Sequence, residues 1–291
     1  MPRLFSAAGI LAVEQGDYAQ AERYSEHSLR LYRELGDMSG SSGALTLLGS
    51  VALRRGNYPA ATEWFSQCLE LRVELGDPYP IAAALNNLGI VAREQGNDVE
   101  ATALYQRSLD IKRQLGNTRS IAVALNNLGD VAYDQGAYAQ AQALFQESLE
   151  LFEQLDEKWG IALLRTNLGN VIQAQGDHLT ARQHYAQSLA LYRDMGTTPD
   201  ISECLEGLAV GALAEREPER AAGLYGAAAS LREAIGSHLP PSRRAAVEQQ
   251  VALAQAELDP AAWTRAWDRG HALSLEQAIE YALELADAAG R

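Results

Sequence analysis

The chain has 291 residues, of which 47% are hydrophobic, and its 38 acidic residues outnumber its 24 lysines and arginines, giving a formal net charge of −14. This balance argues against nucleic-acid binding, because displacing phosphate counterions needs a basic surface, whereas it permits a basic protein partner or simply aids solubility. The sequence holds no apolar run of about 18 residues and no signal-peptide core, so we expect no membrane contact and a cytoplasmic location.

From the N-terminus to about residue 236, the sequence repeats with a period of 40 residues. A glycine column marks one short loop per repeat at Gly16, Gly56, Gly96, Gly136 and Gly176. An aromatic column follows on the same spacing at Phe65, Tyr105, Phe145, Tyr185 and Tyr225. A fixed period of this length predicts a solenoid of stacked supersecondary units.

Within one repeat, residues 77–116, apolar positions recur at three- and four-residue steps on both sides of Gly96. This spacing predicts two helices of about 16–18 residues, each ended by a glycine. Gly89 falls inside the first of these helices, where glycine is unfavourable. We therefore expect the paired helix to cross close to Gly89 with the small Ala101 facing it, and Tyr105 to fill the gap to the next repeat.

The Leu88-Gly89 step, Ala101 and Tyr105 resemble the signature of the tetratricopeptide repeat, in a lengthened form. The resemblance implies an all-α fold, a right-handed α-α superhelix (tetratricopeptide solenoid) with a C-terminal helical cap. It also implies that the first helix of each pair lines a concave groove for protein or peptide partners. We expect six such pairs over residues 1–236 and capping helices over 237–291.

The period stops after residue 236, and capping signals predict three more helices in the tail. These run from Ser242 to about Leu258, from Pro260 onward, and over 275–288 behind a capping box formed by Ser274 and Gln277. Trp263 and Trp267 lie one turn apart on the middle helix. They form either an aromatic cap over the open end of the solenoid or a pair that stacks on a ligand.

The tail also resembles the C-terminal end of bacterial signalling ATPases that regulate transcription, through segments such as 223–228 and 270–278. In that family a nucleotide-binding switch precedes a tetratricopeptide array. The resemblance implies that this chain is a fragment or a short relative of such a regulator. Leu4, Ile10 and Leu11 in the first helix have no upstream neighbour, so a dimer through the N-terminal end is another way to cover them.

Catalytic and metal-binding motifs are absent from the sequence. Neither Lys112 nor Lys158 lies in a Gly-Lys-Ser/Thr loop, and the five histidines form no H-E-x-x-H motif. Cys68 and Cys204 fall in columns of small residues, which indicates a packing role. We therefore expect no enzymatic activity, no cofactor and no metal site, and an accessory subunit of an enzyme is the weakest functional alternative.

One polar constellation on the first helices is the candidate site. Asn87, Asn127 and Asn167 share a column, and an asparagine amide can hold a peptide backbone through both its donors and its acceptor. The family's peptide-holding asparagines precede the Leu-Gly step, which this column matches. The predicted contact surface comprises Asn86, Asn87, Asn126, Asn127, Asn167, Asp130, Asn170, Arg93, Tyr133 and Asp134.

These asparagines also have a structural alternative, in which they bond neighbouring first helices and set the superhelix. The first functional hypothesis is a non-catalytic scaffold that takes an extended or helical peptide segment in its groove. The second is the ligand-sensing array of a multidomain, ATP-dependent transcriptional regulator. The carboxylate-clamp form of the family, which uses lysines, is disfavoured because neither lysine lies in the asparagine column.

Overall fold

The computed structural model describes residues 1–196, 199–234 and 241–288, and every regular element within these ranges is an α-helix. The all-α fold class, built from repeated helix pairs, is confirmed. Contacts divide the chain into two compact units, Met1–Gln135 and Gly136–Arg291. The predicted boundary between repeats and tail, at residues 236 and 237, lies outside the described residues.

The first unit is built from helix pairs joined by short glycine turns. Its helices are α1 (Pro2–Glu14), α2 (Tyr18–Glu34), α3 (Met38–Arg54), α4 (Tyr58–Leu75), α5 (Pro78–Glu94), α6 (Asp98–Leu115) and α7 (Thr118–Asp134). Gly96 takes a φ of 74° in the turn between α5 and α6, a left-handed conformation that other residues adopt only with strain. The two helices predicted on either side of this glycine are thereby confirmed.

A column of Asp and Asn residues starts helices α2 to α7 of the first unit, which the sequence analysis missed. Its side chains accept hydrogen bonds from backbone N–H groups in the first turn at Asp17, Asp37, Asn57, Asp77, Asn97 and Asn117. Each such cap contributes about 1 kcal/mol by satisfying an amide that has no intrahelical partner. The alternation of an Asx cap and a glycine stop therefore sets both ends of the helices.

An aromatic ring packed against a glycine joins the helices of the α3–α4 and α5–α6 pairs. A Cβ added at Gly89 would lie 2.6 Å from the Tyr105 ring, and one added at Gly49 would lie equally close to Phe65. The close crossing expected at Gly89 is therefore present, but the nearest atoms belong to the aromatic ring of the same pair. Phe65 also shares a buried cluster with Val91 of α5, so the rings join successive pairs as well.

The second unit continues the repeat and then adds the tail. Its helices are α8 (Tyr138–Gln154), α9 (Lys158–Ala174), α10 (His178–Met195), α11 (Pro199–Ala214), α12 (Pro218–Ala234), α13 (Pro241–Ala256), α14 (Pro260–His271) and α15 (Leu275–Ala288). Helix α13 begins before Ser242, because proline is favoured in a first turn where its missing N–H is not needed. The capping box of α15 is confirmed, since the Ser274 N–H donates to Gln277 Oε1 and the Gln277 N–H donates to Ser274 Oγ.

The apolar side chains predicted to lack an upstream neighbour lie on the surface of α1. Leu4, Ile10 and Leu11 are all more than half exposed. A second copy of the chain against this surface stays a prediction.

Substituting Gly89 by alanine tests the seat of the ring. Gly89→Ala is expected to lower the free energy of unfolding by about 1–3 kcal/mol, because the new Cβ must displace the buried Tyr105 ring. Gly43→Ala is the matched control: Gly43 lies on an exposed face of α3 with no other heavy atom within 4 Å of the added Cβ. Gly43→Ala should raise the free energy of unfolding by about 0.5–1 kcal/mol, because alanine is favoured over glycine inside a helix. Urea unfolding followed by circular dichroism measures the free energy of unfolding of both variants. An equal rise in both would contradict the contact between Gly89 and the Tyr105 ring.

Candidate functional site

Eight of the ten predicted site residues lie on α5 and α7 of the first unit. We call this set the α5–α7 surface: Asn86, Asn87, Arg93, Asn126, Asn127, Asp130, Tyr133 and Asp134. Within each helix most of the residues are three, four or seven positions apart, as Asn86 and Arg93 are, whereas Asn87 and Asn127 directly follow another asparagine and are rotated about 100° from it around the helix. Hydrogen bonds join the two helices along this surface, so the structure brings these residues together.

At one end of the surface, Asn86 is used to join helices. Its Oδ1 accepts a hydrogen bond from Asn127 Nδ2 at 2.9 Å and another from Lys112 Nζ at 3.3 Å. Asn86 thus links α5 to α7 and to α6. The structural alternative considered for the asparagines is therefore present at the Asn86–Asn127 pair.

Asn87, the next residue along α5, is in a different situation. Its side chain is half-buried and makes no hydrogen bond with any residue that the structure describes. An unpaired carboxamide offers two donors and one acceptor. The whole side-chain amide of Asn87 is therefore available to a partner.

An ion cluster lies at the other end of the surface. Arg93 Nε donates to Asp134 Oδ2 at 2.6 Å, and Arg93 Nη1 lies 3.3 Å from Asp130 Oδ2. Burial works against the charge on Arg93, but the two carboxylates outweigh that effect and raise its pKa above the ordinary value. Two carboxylates face one guanidinium, so this end of the surface carries a net negative charge.

The remaining members of the surface differ in accessibility. Asn126 is buried, and its Nδ2 donates to Asp130 Oδ2 at 3.4 Å. This hydrogen bond holds one carboxylate of the ion cluster in place. Tyr133 is half-buried, whereas Asp134 is exposed. A partner would therefore meet Asp134 and Tyr133 before it met Asn126.

The other two predicted site residues, Asn167 and Asn170, lie on α9 of the second unit. Asn170 joins three helices, because its Nδ2 donates to Glu203 Oε1 at 2.9 Å and its Oδ1 accepts from the Tyr185 hydroxyl at 2.8 Å. Asn167 is half-buried and also has an interaction partner. The Asn170 side chain is thus engaged within the second unit.

Sequence reasoning missed the part that Lys112 plays beneath the α5–α7 surface. Lys112 is 6% exposed, its ammonium has Asn86 as hydrogen-bond acceptor, and burial lowers its pKa to about 8. A signal was available in the repeat, because Arg72 occupies the same column and donates to Thr46 in the column of Asn86. In this repeat, a basic residue 26 positions after a polar one predicts a hydrogen bond between the two side chains.

Residues 1–196, 199–234 and 241–288 contain neither a membrane-spanning helix nor a cluster of metal ligands. No helix in these ranges has the length and hydropathy needed to cross a bilayer. They also contain no group of three or more His, Cys, Asp or Glu side chains arranged to hold a metal ion.

Because the Lys112 ammonium is buried, we expect the effect of Lys112 on the free energy of unfolding to depend on pH. Lys112→Met is expected to raise the free energy of unfolding at pH 7 by about 1–2 kcal/mol, because the folded protein disfavours the charged amine. The pKa is about 8 in the folded protein against an ordinary value of 10.5. Between these values the unfolded chain keeps a proton that the folded protein has lost, so wild-type stability rises with pH. The advantage of the variant should therefore shrink from pH 8 to pH 10.5.

Urea unfolding at several pH values measures this difference. Lys158→Met is the matched control, because Lys158 is exposed at the start of α9, and it should differ little from the wild type at any pH. A constant advantage of Lys112→Met across the pH range would show that the amine is not the cause.

The comparisons with known proteins agree with the helix-pair architecture. Residues 2–74, 40–114, 80–154 and 160–234 match the tetratricopeptide repeat family. No curated protein sequence matches the chain. Many solved structures do, and BtubC from P. vanneervenii is 22% identical with a TM-score of 0.62, over 78% of this chain and 93% of that one.

Two further structures extend the likeness. The apo form of RapI is 12% identical with a TM-score of 0.65, over 88% of this chain and 97% of that one. A Signal Transduction ATPase with Numerous Domains (STAND) protein with a tetratricopeptide repeat sensor, from Pyrococcus horikoshii, is 16% identical with a TM-score of 0.68. That alignment covers 99% of this chain but only 44% of the STAND protein. These identities establish the fold alone. Because the family matches span most of its length, the chain belongs to the tetratricopeptide repeat family.

Proposed function

We propose that the α5–α7 surface binds a basic peptide segment of a protein partner, with Asn87 holding the backbone of that segment. Tetratricopeptide repeats generally form non-catalytic scaffolds for protein interaction, which supports a protein partner. The observation that carries the proposal is the unpaired amide of Asn87 beside the engaged amides of Asn86 and Asn127.

The amide of Asn87 suits a peptide backbone because of its chemistry. A carboxamide can donate to a backbone carbonyl and accept from a backbone N–H at the same time. Its neighbour Asn127 is already fixed by Asn86, so the surface beside Asn87 is ordered before a partner arrives. A binding surface that is already organised spends less free energy on ordering its side chains.

The charge of the surface favours a basic segment. Arg93 is paired with both Asp130 and Asp134, so two carboxylates face one guanidinium at this end of the surface. Glu94 is exposed next to Arg93 and adds another carboxylate. Attraction of a lysine or arginine to these groups weakens as salt screens it.

A binding experiment with Asn87→Ala tests this proposal. Labelled synthetic peptides, with basic or acidic residues around the same apolar positions, are titrated with the full chain and followed by fluorescence polarisation. The basic peptides should bind more tightly than the acidic ones. Asn87→Ala should lower the affinity for the basic peptides about tenfold, because the hydrogen bonds to the peptide backbone are lost. Raising the salt from about 0.05 M to about 0.5 M should weaken binding further.

The control for this experiment is Gln106→Ala, which removes an exposed carboxamide on α6, outside the α5–α7 surface. It should leave the affinity unchanged, and circular dichroism should show the same helicity in both variants. Equal affinities of the wild type and Asn87→Ala, or a preference for the acidic peptides, would refute the proposal.

A second candidate function is the regulatory array of a multidomain, ATP-dependent regulator of transcription. It is favoured by the alignment of 99% of this chain, including its tail, with the STAND protein that carries a tetratricopeptide repeat sensor. An immunoblot of the native source tests it. A band far above the 31.5 kDa of this chain, retained on immobilised ATP, is the expected result. A band at 31.5 kDa that ATP resin does not retain would exclude this candidate.

A further inference from the structure

Helix α1 exposes two sequence columns that the next repeat uses to pack on the helix pair before it. Leu4 stands in the column of Ala44, and Leu11 stands in the column of Val51. Ala44 belongs to a buried cluster with Leu29 of α2, and Val51 belongs to one with residues of α1 and α2. In α1, by contrast, Leu4 is 72% exposed and Leu11 is 53% exposed. The uncovered side of α1 is therefore a side that packs against helices elsewhere in this fold.

The exposed residues of α1 form one continuous face with opposite charges at its two ends. A period of 3.6 residues per turn places them within about 120° around the helix axis. We call this set the α1 face: Arg3, Leu4, Ala7, Ile10, Leu11 and Glu14. Single exposed apolar residues are ordinary, whereas a group of them on one face indicates an interaction surface.

The opposite side of α1 is fixed to α2. Ser28 Oγ donates to the Pro2 carbonyl oxygen at 3.0 Å and lies 2.7 Å from Ser6 Oγ. The Phe5 ring packs edge-on against the His27 ring, with the ring centroids 4.2 Å apart. Because α1 is already held in place, little free energy is spent on ordering it when its other face is covered.

The charges of α1 favour a second copy of this chain as the molecule that covers it. Residues 1–13 contain no acidic side chain, although the whole chain has a net charge of −14. Two copies that meet here therefore avoid much of the repulsion that their acidic surfaces would cause. Arg3 and Glu14 lie about 16 Å apart along the helix, and neither forms an ion pair with a residue that the structure describes. Both are thus available to pair across a contact.

An antiparallel pair of α1 helices matches these charges. A twofold axis midway between residues 8 and 9 sets Arg3 of each copy against Glu14 of the other, and the small Ala7 against the large Ile10. It also places the positive end of each helix dipole beside the negative end of the other. A head-to-tail contact with the last helix pair of another copy is closed, because α13, α14 and α15 already contact α11 and α12.

We propose that the chain forms a symmetric dimer in which the α1 face packs antiparallel on the same face of a second copy. One helix covers less than the roughly 800 Å² per partner of a stable complex, so the expected dissociation constant is on the order of 10 μM. The contact uses no residue of the α5–α7 surface. Its failure would therefore leave the proposal for Asn87 unaffected, and the reverse also holds.

Sedimentation equilibrium of the full chain, over a concentration range of about 1–100 μM, measures the association. The mean mass is expected to rise with concentration from 31.5 kDa toward twice that value. Leu11→Lys should raise the dissociation constant more than about tenfold, because two leucines leave the contact and two ammonium groups enter it. Leu179→Lys is the matched control: Leu179 is also 53% exposed, but it lies on α10 in the second unit, so the association should be unchanged. Circular dichroism should show equal helicity in both variants.

Reversal of the two end charges tests the antiparallel arrangement. Arg3→Glu alone, or Glu14→Arg alone, replaces two attractive contacts by two repulsive ones. Each should raise the dissociation constant about fivefold at about 0.05 M salt, and the double variant should restore the wild-type value. In a parallel pair like charges would already face each other in the wild type, so neither single change would weaken it.

The possible results separate the second copy from other partners. Association that Leu11→Lys weakens, that Leu179→Lys keeps and that the double charge reversal restores supports the proposal. A single species of 31.5 kDa at every concentration overturns it and assigns the α1 face to a different partner. Equal association of the wild type and Leu11→Lys, or single charge reversals without effect, also overturns it.

Discussion

The contact on which the rest of the structure depends is an aromatic ring seated on a glycine of the paired helix. Gly89 and Tyr105 show it most clearly, and Gly49 with Phe65 and Gly169 with Tyr185 repeat it. Because glycine has no Cβ, a whole ring is buried between two helices at a fixed position. The ring then fixes the register of the pair, so residues in one sequence column take equivalent places in successive repeats.

This register makes the α5–α7 surface a product of neighbouring repeats. Arg93 on α5 reaches Asp130 and Asp134 on α7 because these positions lie 37 and 41 residues further along the chain, each within one helical turn of a full repeat. The same register brings Asn127 to Asn86. Polar side chains therefore serve two purposes here: some join the helices, and the ones left over are available for recognition.

Small departures from the repeat produce the features most suggestive of function. Asn86 and Asn87 are adjacent and chemically identical. Asn86 accepts two hydrogen bonds, whereas Asn87 makes none with the described residues. Tyr185 and Tyr225 share a column, yet among the described residues only Tyr185 has hydrogen-bond acceptors for its hydroxyl. A repeat protein holds its backbone geometry constant, so a change of one or two neighbours is enough to free a polar group.

The sequence by itself determined the all-α fold, the helix boundaries and the family, because the periods of 3.6 and 40 residues and the glycine stops at positions such as Gly96 are local properties of the chain. It also placed Asn87 and Asn127 at equivalent positions of successive first helices, since a sequence column follows from the 40-residue period alone. Only the tertiary structure decided that Asn86 is engaged, that Asn87 is unpaired and that Lys112 is buried beneath them. The partners of Asn86 come from other helices, 26 and 41 residues away along the chain. Hydrogen bonds over that separation depend on side-chain positions that no local pattern encodes.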